Sequence, residues 1–275
     1  MKYPFCITPR PGNNGAADSF RLDYRDRPVS DLLNLTHCPN RTSDKSVRDR
    51  FVREFATLGI MRALLDGDYQ YERDEAHLSS LNWTTELLIA AKLAKESPKL
   101  PEQTLAHLCK LRAPNGHLDP TTNAATLANR PNKLAEIICD LTTAPGLVIA
   151  LGHGGIQVAY DTALALREIT SEPIDIFPVR FSGHKKLDLA PFVDSTERNY
   201  LKDISQGRTA VVIDDDACSG LTISSMLLFL KDEGIQTPMG VTPVRSGEDI
   251  TGEFNPQVYF TDSWSAYTFT KQQNN

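Results

Sequence analysis

Residues 211–222 read VVIDDDACSGLT, and they hold the densest chemistry in the chain. Val211, Val212 and Ile213 form an apolar run of the kind a buried parallel strand needs. That strand delivers Asp214 and Asp215 to its end, and Asp216, Ala217, Cys218, Ser219 and Gly220 form a tight loop before a helix that opens near Leu221 or Thr222. A helix N-terminus offers free backbone N–H groups and a dipole that favours an anion. Gly220 lets the backbone approach a ligand closely. Ser219 and Thr222 add hydroxyl donors, and successive loop N–H groups can form an anion nest. A phosphate cradle beside two carboxylates suits a phosphorylated sugar. The carboxylates can accept hydrogen bonds from two sugar hydroxyls, or hold Mg²⁺ directly or through water. The same residues also fit a solvated acidic turn with Ser219 or Thr222 as an ordinary helix cap.

A second segment, GLVIALGHGGIQVAYDTALAL, begins at residue 146. Its strand ends in Gly152, His153, Gly154 and Gly155, and a helix follows. The glycines can expose backbone N–H groups to an anion, and His153 can donate a hydrogen bond or carry partial charge. His153 alone fits a surface loop equally well.

The elements that must position these residues alternate. GLVIAL (146–151) reads as a strand, 157–168 as a helix, PIDIFPVR (173–180) as a strand, TAVVID (209–214) as a strand and 221–234 as a helix ending at Gly234. Residues 236–244 and 257–262 read as further strands. This order implies an α/β fold with a mainly parallel sheet flanked by helices. Ligands of such sheets bind outside the carboxyl ends of the strands, which points to residues 152–155, 180–200 and 214–222. Residues 181–200 read as polar and irregular.

The first half of the chain has no recognisable chemistry. Residues 1–44 are rich in Pro, Gly, Asn, Asp and Arg and read as mostly irregular. Residues 45–66 read as an amphipathic helix with Val47, Phe51, Phe55, Leu58 and Leu65 on one face and Gly67 as its stop. Further helices are expected over 84–96, 101–111 and 131–142, with turns at APNG and DPTTN between the last two. The expected division is a mainly helical extension, 1–130, and a chemistry-bearing domain, 131–275.

The chain has 275 residues and a formal net charge of −6. Residues 1–140 carry 19 Lys+Arg against 18 Asp+Glu, and residues 141–275 carry 10 against 17. An acidic second half argues against nucleic acid as a partner. The only candidate DNA-reading helix, 45–62, interleaves its cations with acids. No run of about 18 apolar residues is present, so no membrane partner is expected. The five cysteines are scattered, odd in number and form no CxxC pair, which points to free thiols and a cytoplasmic location.

The segment 211–222 resembles the binding motif for phosphoribosyl pyrophosphate (PRPP) in type I phosphoribosyltransferases. That motif is an apolar strand, two acidic residues, four loop residues, then Gly, any residue and Thr. Asp214 and Asp215 match the acidic pair, and Gly220, Leu221 and Thr222 match the close. Asp216 and Cys218 depart from the usual loop residues, which leaves the backbone donors in place. The 146–166 segment resembles the family's upstream strand, pyrophosphate loop and helix. The resemblance covers roughly residues 131–270.

The resemblance implies Mg²⁺-dependent transfer of a phosphoribosyl group from PRPP to a nitrogen-containing, nucleobase-like acceptor, with release of pyrophosphate. It gives Asp214 and Asp215 the ribose and the metal, residues 216–222 the 5′-phosphate, and Gly152, His153, Gly154 and Gly155 the pyrophosphate. Residues 181–200 match a hood over the site, in which Lys185, Lys186 and Arg198 could meet pyrophosphate, with Arg180 at a strand end nearer to it. Tyr259, Phe260, Asp262 and Trp264 fall where the family holds the acceptor base; alternate packing of a strand explains them equally well. A homodimer is expected by the same analogy. Two other readings stay open: a non-catalytic regulator that binds PRPP or a nucleotide, and an enzyme that uses the sugar site for another phosphoribosyl or nucleotide-cleaving reaction.

Overall fold

The computed structural model describes residues 7–10, 19–23, 28–36, 45–67, 74–112, 117–118, 130–142, 145–152, 154–181, 190–215, 220–235, 238–243, 257–260 and 263–268. The chain divides into two compact units, Met1–Ala125 and Thr126–Asn275.

The first unit contains a three-stranded antiparallel sheet in the order β1-β2-β3, with β1 at Ile7–Arg10, β2 at Ser19–Asp23 and β3 at His117–Leu118. Its helices are α1 (Val29–Thr36), α2 (Lys45–Gly67), α3 (Glu75–Lys92) and α4 (Glu102–Leu108). The described residues within 1–44, a stretch expected to be mostly irregular, are regular. They supply two strands and a helix whose Val29, Leu32, Leu33 and Leu35 are buried. Pro28 directly precedes that helix, where its fixed φ costs nothing.

Two helical expectations change. The one-sided burial expected of α2 fails: every residue from Arg53 to Met61 is buried, as are Ala63, Leu64 and Leu65. Helices α1 and α3 both pack against α2, so its polar flank is also covered. Helix α3 starts nine residues before the expected Thr84 and ends at Lys92 rather than residue 96. Asp74 caps it, its Oδ1 accepting from the His77 N–H at 2.9 Å. The polar run that hides this start is absorbed by the helix itself. Ser80 Oγ donates to Ala76 O and Thr84 Oγ1 to Ser80 O, each at 2.7 Å. Ala94, with φ of 53°, closes the helix.

The second unit opens with α5 (Arg130–Leu141), which packs on α6 (Gly155–Thr170). Its six-stranded sheet runs β5-β4-β6-β7-β8-β9. The strands are β4 (Pro145–Leu151), β5 (Asp175–Val179), β6 (Thr209–Ile213), β7 (Met239–Thr242), β8 (Gln257–Phe260) and β9 (Ser263–Thr268). The pairs β4–β5, β4–β6 and β6–β7 are parallel; β7–β8 and β8–β9 are antiparallel. The fold is thus α/β with a mainly parallel sheet, closed at one edge by an antiparallel meander. Val148 to Ala150 and Ala210 to Ile213 have no exposed surface, which is why these strands read as unbroken apolar runs.

Helix α7 (Ser195–Ser205) begins inside the 181–200 stretch expected to be irregular. A capping box builds it: Asp194 accepts from Glu197 N at 2.8 Å, and Glu197 Oε2 accepts from Asp194 N at 3.0 Å. Helix α8 (Leu221–Asp232) packs on β6, β7 and β8. From β4 the chain passes through α6 to β5 on one side; β6 lies on the other side of β4. The sheet's topological switch point therefore lies between the carboxyl ends of β4 and β6.

Candidate functional site

Both sequence motifs end at that switch point. Strand β4 stops at Leu151, and Gly152, with φ of 50°, turns the chain while its N–H donates to Val179 O at 3.0 Å. Gly154 then takes the N-cap position of α6, without a side-chain cap. On the neighbouring strand, Asp214 and Asp215 follow Ile213 and are both half-buried.

The two segments touch, and the glycines are what allow it. A Cβ on Gly154 would lie 2.1 Å from Asp215 Oδ2 and 2.5 Å from its Oδ1. A Cβ on Gly155 would lie 2.9 Å from both Asp214 Cα and Ile213 O, and 3.0 Å from Asp214 Oδ1. The first obstacle is a side chain and the second is mainly backbone, so the Gly155 contact is the less forgiving. The amino end of α6 consequently sits on the acidic pair, and its dipole favours negative charge there. Asp214 is held further by its backbone N–H, which reaches Val241 O at 3.4 Å. Its Oδ1 accepts from Asp215 N at 3.0 Å.

The second cradle opens α8. Gly220 is its N-cap, with φ of 71°, a left-handed conformation that favours glycine. The N-cap residue is Gly220 and not Thr222. Ser224 N–H donates to Gly220 O at 2.9 Å, so the first turn forms directly from the glycine. Leu221 is exposed and Thr222 half-buried. Asp216, Ala217, Cys218 and Ser219 lie outside the described residues, as does His153.

Arg180 follows β5, one residue beyond the Val179 carbonyl that receives Gly152 N–H, and is 6 % exposed. Its carbonyl accepts from Phe192 N–H at 3.2 Å. Lys185, Lys186 and Asp262 lie outside the described residues. Phe260 and Trp264 are placed by backbone on β8 and β9. Arg198 is committed elsewhere than the pyrophosphate suggested for it. It donates to Val193 O at 3.0 Å, pairs with Glu233 at 3.2 Å and stacks 5.3 Å over the Phe229 ring. That arrangement ties α7 to α8.

Tyr259 is drawn to the phosphate-type loop. Its Cε1 lies 2.4 Å from where a Gly220 Cβ would be, with Cζ and Oη each at 3.0 Å. A residue the sequence reading missed, Gly240 on β7, works beside it. A Cβ there would meet Ile223 Cγ2 at 2.2 Å, so the glycine seats the first turn of α8 on the sheet. The signal was present: an isolated glycine in a strand marks a close approach.

Two carboxylates offer hard oxygen donors that suit Mg²⁺. No cluster of three or more His, Cys, Asp or Glu able to hold a metal occurs among the described residues.

Solved phosphoribosyltransferases are among its structural neighbours. The purine phosphoribosyltransferase of Pyrococcus horikoshii matches at 19% identity and a TM-score of 0.32, over 44% of this chain and 74% of its own. The adenine phosphoribosyltransferase of Saccharomyces cerevisiae, solved with an imino-altritol bisphosphate and adenine, matches at 14% identity and 0.32, over 48% and 78%. A Neisseria gonorrhoeae protein solved with bound ppGpp matches at 20% and 0.32, over 46% and 73%. No family model matches the chain, and the search of curated proteins finds no match. No helix among the described residues is long and apolar enough to cross a membrane.

Proposed function

We propose that the second unit binds PRPP with Mg²⁺ and transfers its phosphoribosyl group to a nitrogen-containing, nucleobase-like acceptor. The observation that carries this reading is the contact of the Gly154–Gly155 turn with Asp214 and Asp215 at the switch point. The N-terminus of α6 lies against the acidic pair and that of α8 opens five residues after it in the chain, which suits a ribose with an anionic group at each end.

In the reaction the acceptor nitrogen attacks the anomeric carbon. The bond from that carbon to pyrophosphate breaks, pyrophosphate leaves with the electron pair, and the acceptor N–H loses its proton. Asp214 and Asp215 accept hydrogen bonds from the ribose hydroxyls and fix the sugar against the attacking nitrogen. Backbone N–H groups at Gly154 and Gly155 hold the departing pyrophosphate, where charge grows in the transition state. Gly220, Leu221 and Thr222 anchor the 5′-phosphate on the first turn of α8. Magnesium, when bound, screens the charge of the leaving group.

The test is calorimetric titration with PRPP, with and without Mg²⁺, on the wild type and on Asp214→Asn/Asp215→Asn. Magnesium-dependent binding that weakens by about 100-fold or more in the variant, the loss of two charged hydrogen-bonding groups, supports the reading. Pyrophosphate release in a screen of nucleobases then identifies the acceptor. A folded wild type that binds no PRPP, even with a nucleobase mixture present, overturns it.

A further inference from the structure

From the packing of Tyr259 we infer that this residue positions the 5′-phosphate cradle and does not stack on the acceptor base; the inference rests on the phosphoribosyl reading above. The geometry begins with strand register. Gly240 on β7 pairs directly with Tyr259 on β8, so the two face the same side of the sheet. That side carries α8. Ile223, in the first turn of α8, fills the space a side chain on Gly240 would need. One position along the ladder direction, the Tyr259 ring covers Gly220, with its Cε1, Cζ and Oη all within 3.0 Å of the missing Cβ.

The start of α8 is thus gripped at two points, Ile223 in the gap at Gly240 and Gly220 beneath the tyrosine ring. Both come from the antiparallel edge, which is laid down last along the chain. A left-handed glycine has little stiffness of its own, because glycine loses the most conformational freedom on folding. A rigid ring set over it removes that freedom and fixes the direction in which the first-turn N–H groups point. The neighbouring Val258 is fully buried and faces the opposite side, while Tyr259 is half-buried.

Small misplacements of binding groups are costly, so the ring's loss reaches affinity without any direct contact to the sugar. The effect is confined to the half of the site that α8 builds. The Gly154–Gly155 turn lies against Asp214 and Asp215 instead.

The experiment separates the two halves of the ligand. Ribose 5-phosphate and pyrophosphate are titrated separately into the wild type, Tyr259→Phe and Tyr259→Ala, with amide exchange followed at Ser224, whose N–H bonds to Gly220 O. In Tyr259→Ala, ribose 5-phosphate affinity is expected to fall about tenfold or more while pyrophosphate affinity stays within about twofold. Ser224 exchange should accelerate in the same variant. Tyr259→Phe, which keeps the ring, should restore both. Unchanged ribose 5-phosphate affinity in Tyr259→Ala, or equal loss for both ligands, overturns the inference. So does a loss seen only with a nucleobase mixture, which would return Tyr259 to the acceptor. A wild type that binds neither probe, nor PRPP, removes the phosphoribosyl reading itself and this inference with it.

Discussion

In the Met1–Ala125 unit the Lys92 ammonium and the Glu54 carboxylate lie 2.7 Å apart with side chains only 4% and 8% exposed, whereas in the Thr126–Asn275 unit Asp214 and Asp215 stand half-exposed at the end of β6. The first pair is joined by Arg53, also buried, which donates from Nη1 to Lys95 O at 2.6 Å and whose guanidinium pKa is lowered by burial. The Lys92–Glu54 pair is sealed and mutually satisfied, so it holds α2 to α3 and leaves little for a ligand. The carboxylates of the second unit sit where a ligand can reach them and where a helix N-terminus favours their charge. Charge type does not separate structure from site in this chain; burial and placement in the topology do.

The largest effect that follows is on stability. Lys92→Met leaves Glu54 buried without its cation, which should cost about 3–5 kcal/mol in denaturant unfolding. Replacing both partners, Lys92→Met with Glu54→Leu, should recover most of that. PRPP affinity measured on the double variant should match the wild type. A single variant as stable as the parent would mean the pair is not sealed, and would erase the contrast between the units. Asp214→Asn/Asp215→Asn is the mirror image: its expected loss of about 100-fold in PRPP affinity corresponds to roughly 2.7 kcal/mol, with a thermal midpoint close to the parent's.

Gly155→Ala comes next and sharpens the role of the turn. The added Cβ meets backbone at Asp214 Cα and Ile213 O, which cannot swing aside, so a destabilisation of about 1–3 kcal/mol is expected. Gly154→Ala meets only the Asp215 carboxylate, which can rotate. It should therefore lower PRPP affinity more than it lowers stability. Equal stability losses for the two alanines would show that the α6 turn and the acidic pair move together as one rigid piece.

The second unit was largely legible because its strands are buried on both faces and its motifs stand at strand ends. Val211 to Ile213 announce β6 by composition alone, and the α/β order follows from the alternation of elements. What was hidden depended on partners distant in sequence. Tyr259 reads equally as an acceptor contact or a packed strand residue, and its place over Gly220 depends on β8 pairing with β7. Arg198 reads as a hood cation until Glu233 and Phe229 claim it. In the first unit the early start of α3 was readable from Asp74, but the polar run HLSSLN masked it, since its hydroxyls are satisfied only once the helix exists. The two-sided burial of α2 could not be read at all, because periodicity reports one face and the second is covered by α1.

Cys139 tests the comparison at its smallest scale, as a titratable group of the second unit remote from the motifs. It lies on α5, half-buried, and burial pushes its thiol pKa up, with the neighbouring Asp140 carboxylate adding to the rise. A raised pKa means less thiolate at a given pH, and thiolate is the reactive form. Alkylation by iodoacetamide at pH 8 should therefore be slower at Cys139 than for an unhindered thiol in a peptide, and the rate should still be climbing with pH where the peptide has levelled. Asp140→Asn should speed it by about two- to threefold, since the like charge is the smaller of the two causes. PRPP should leave the rate unchanged. Protection of Cys139 by PRPP would instead couple α5 to the switch point through α6, on which it packs, and would extend the functional part of the unit beyond the strand ends.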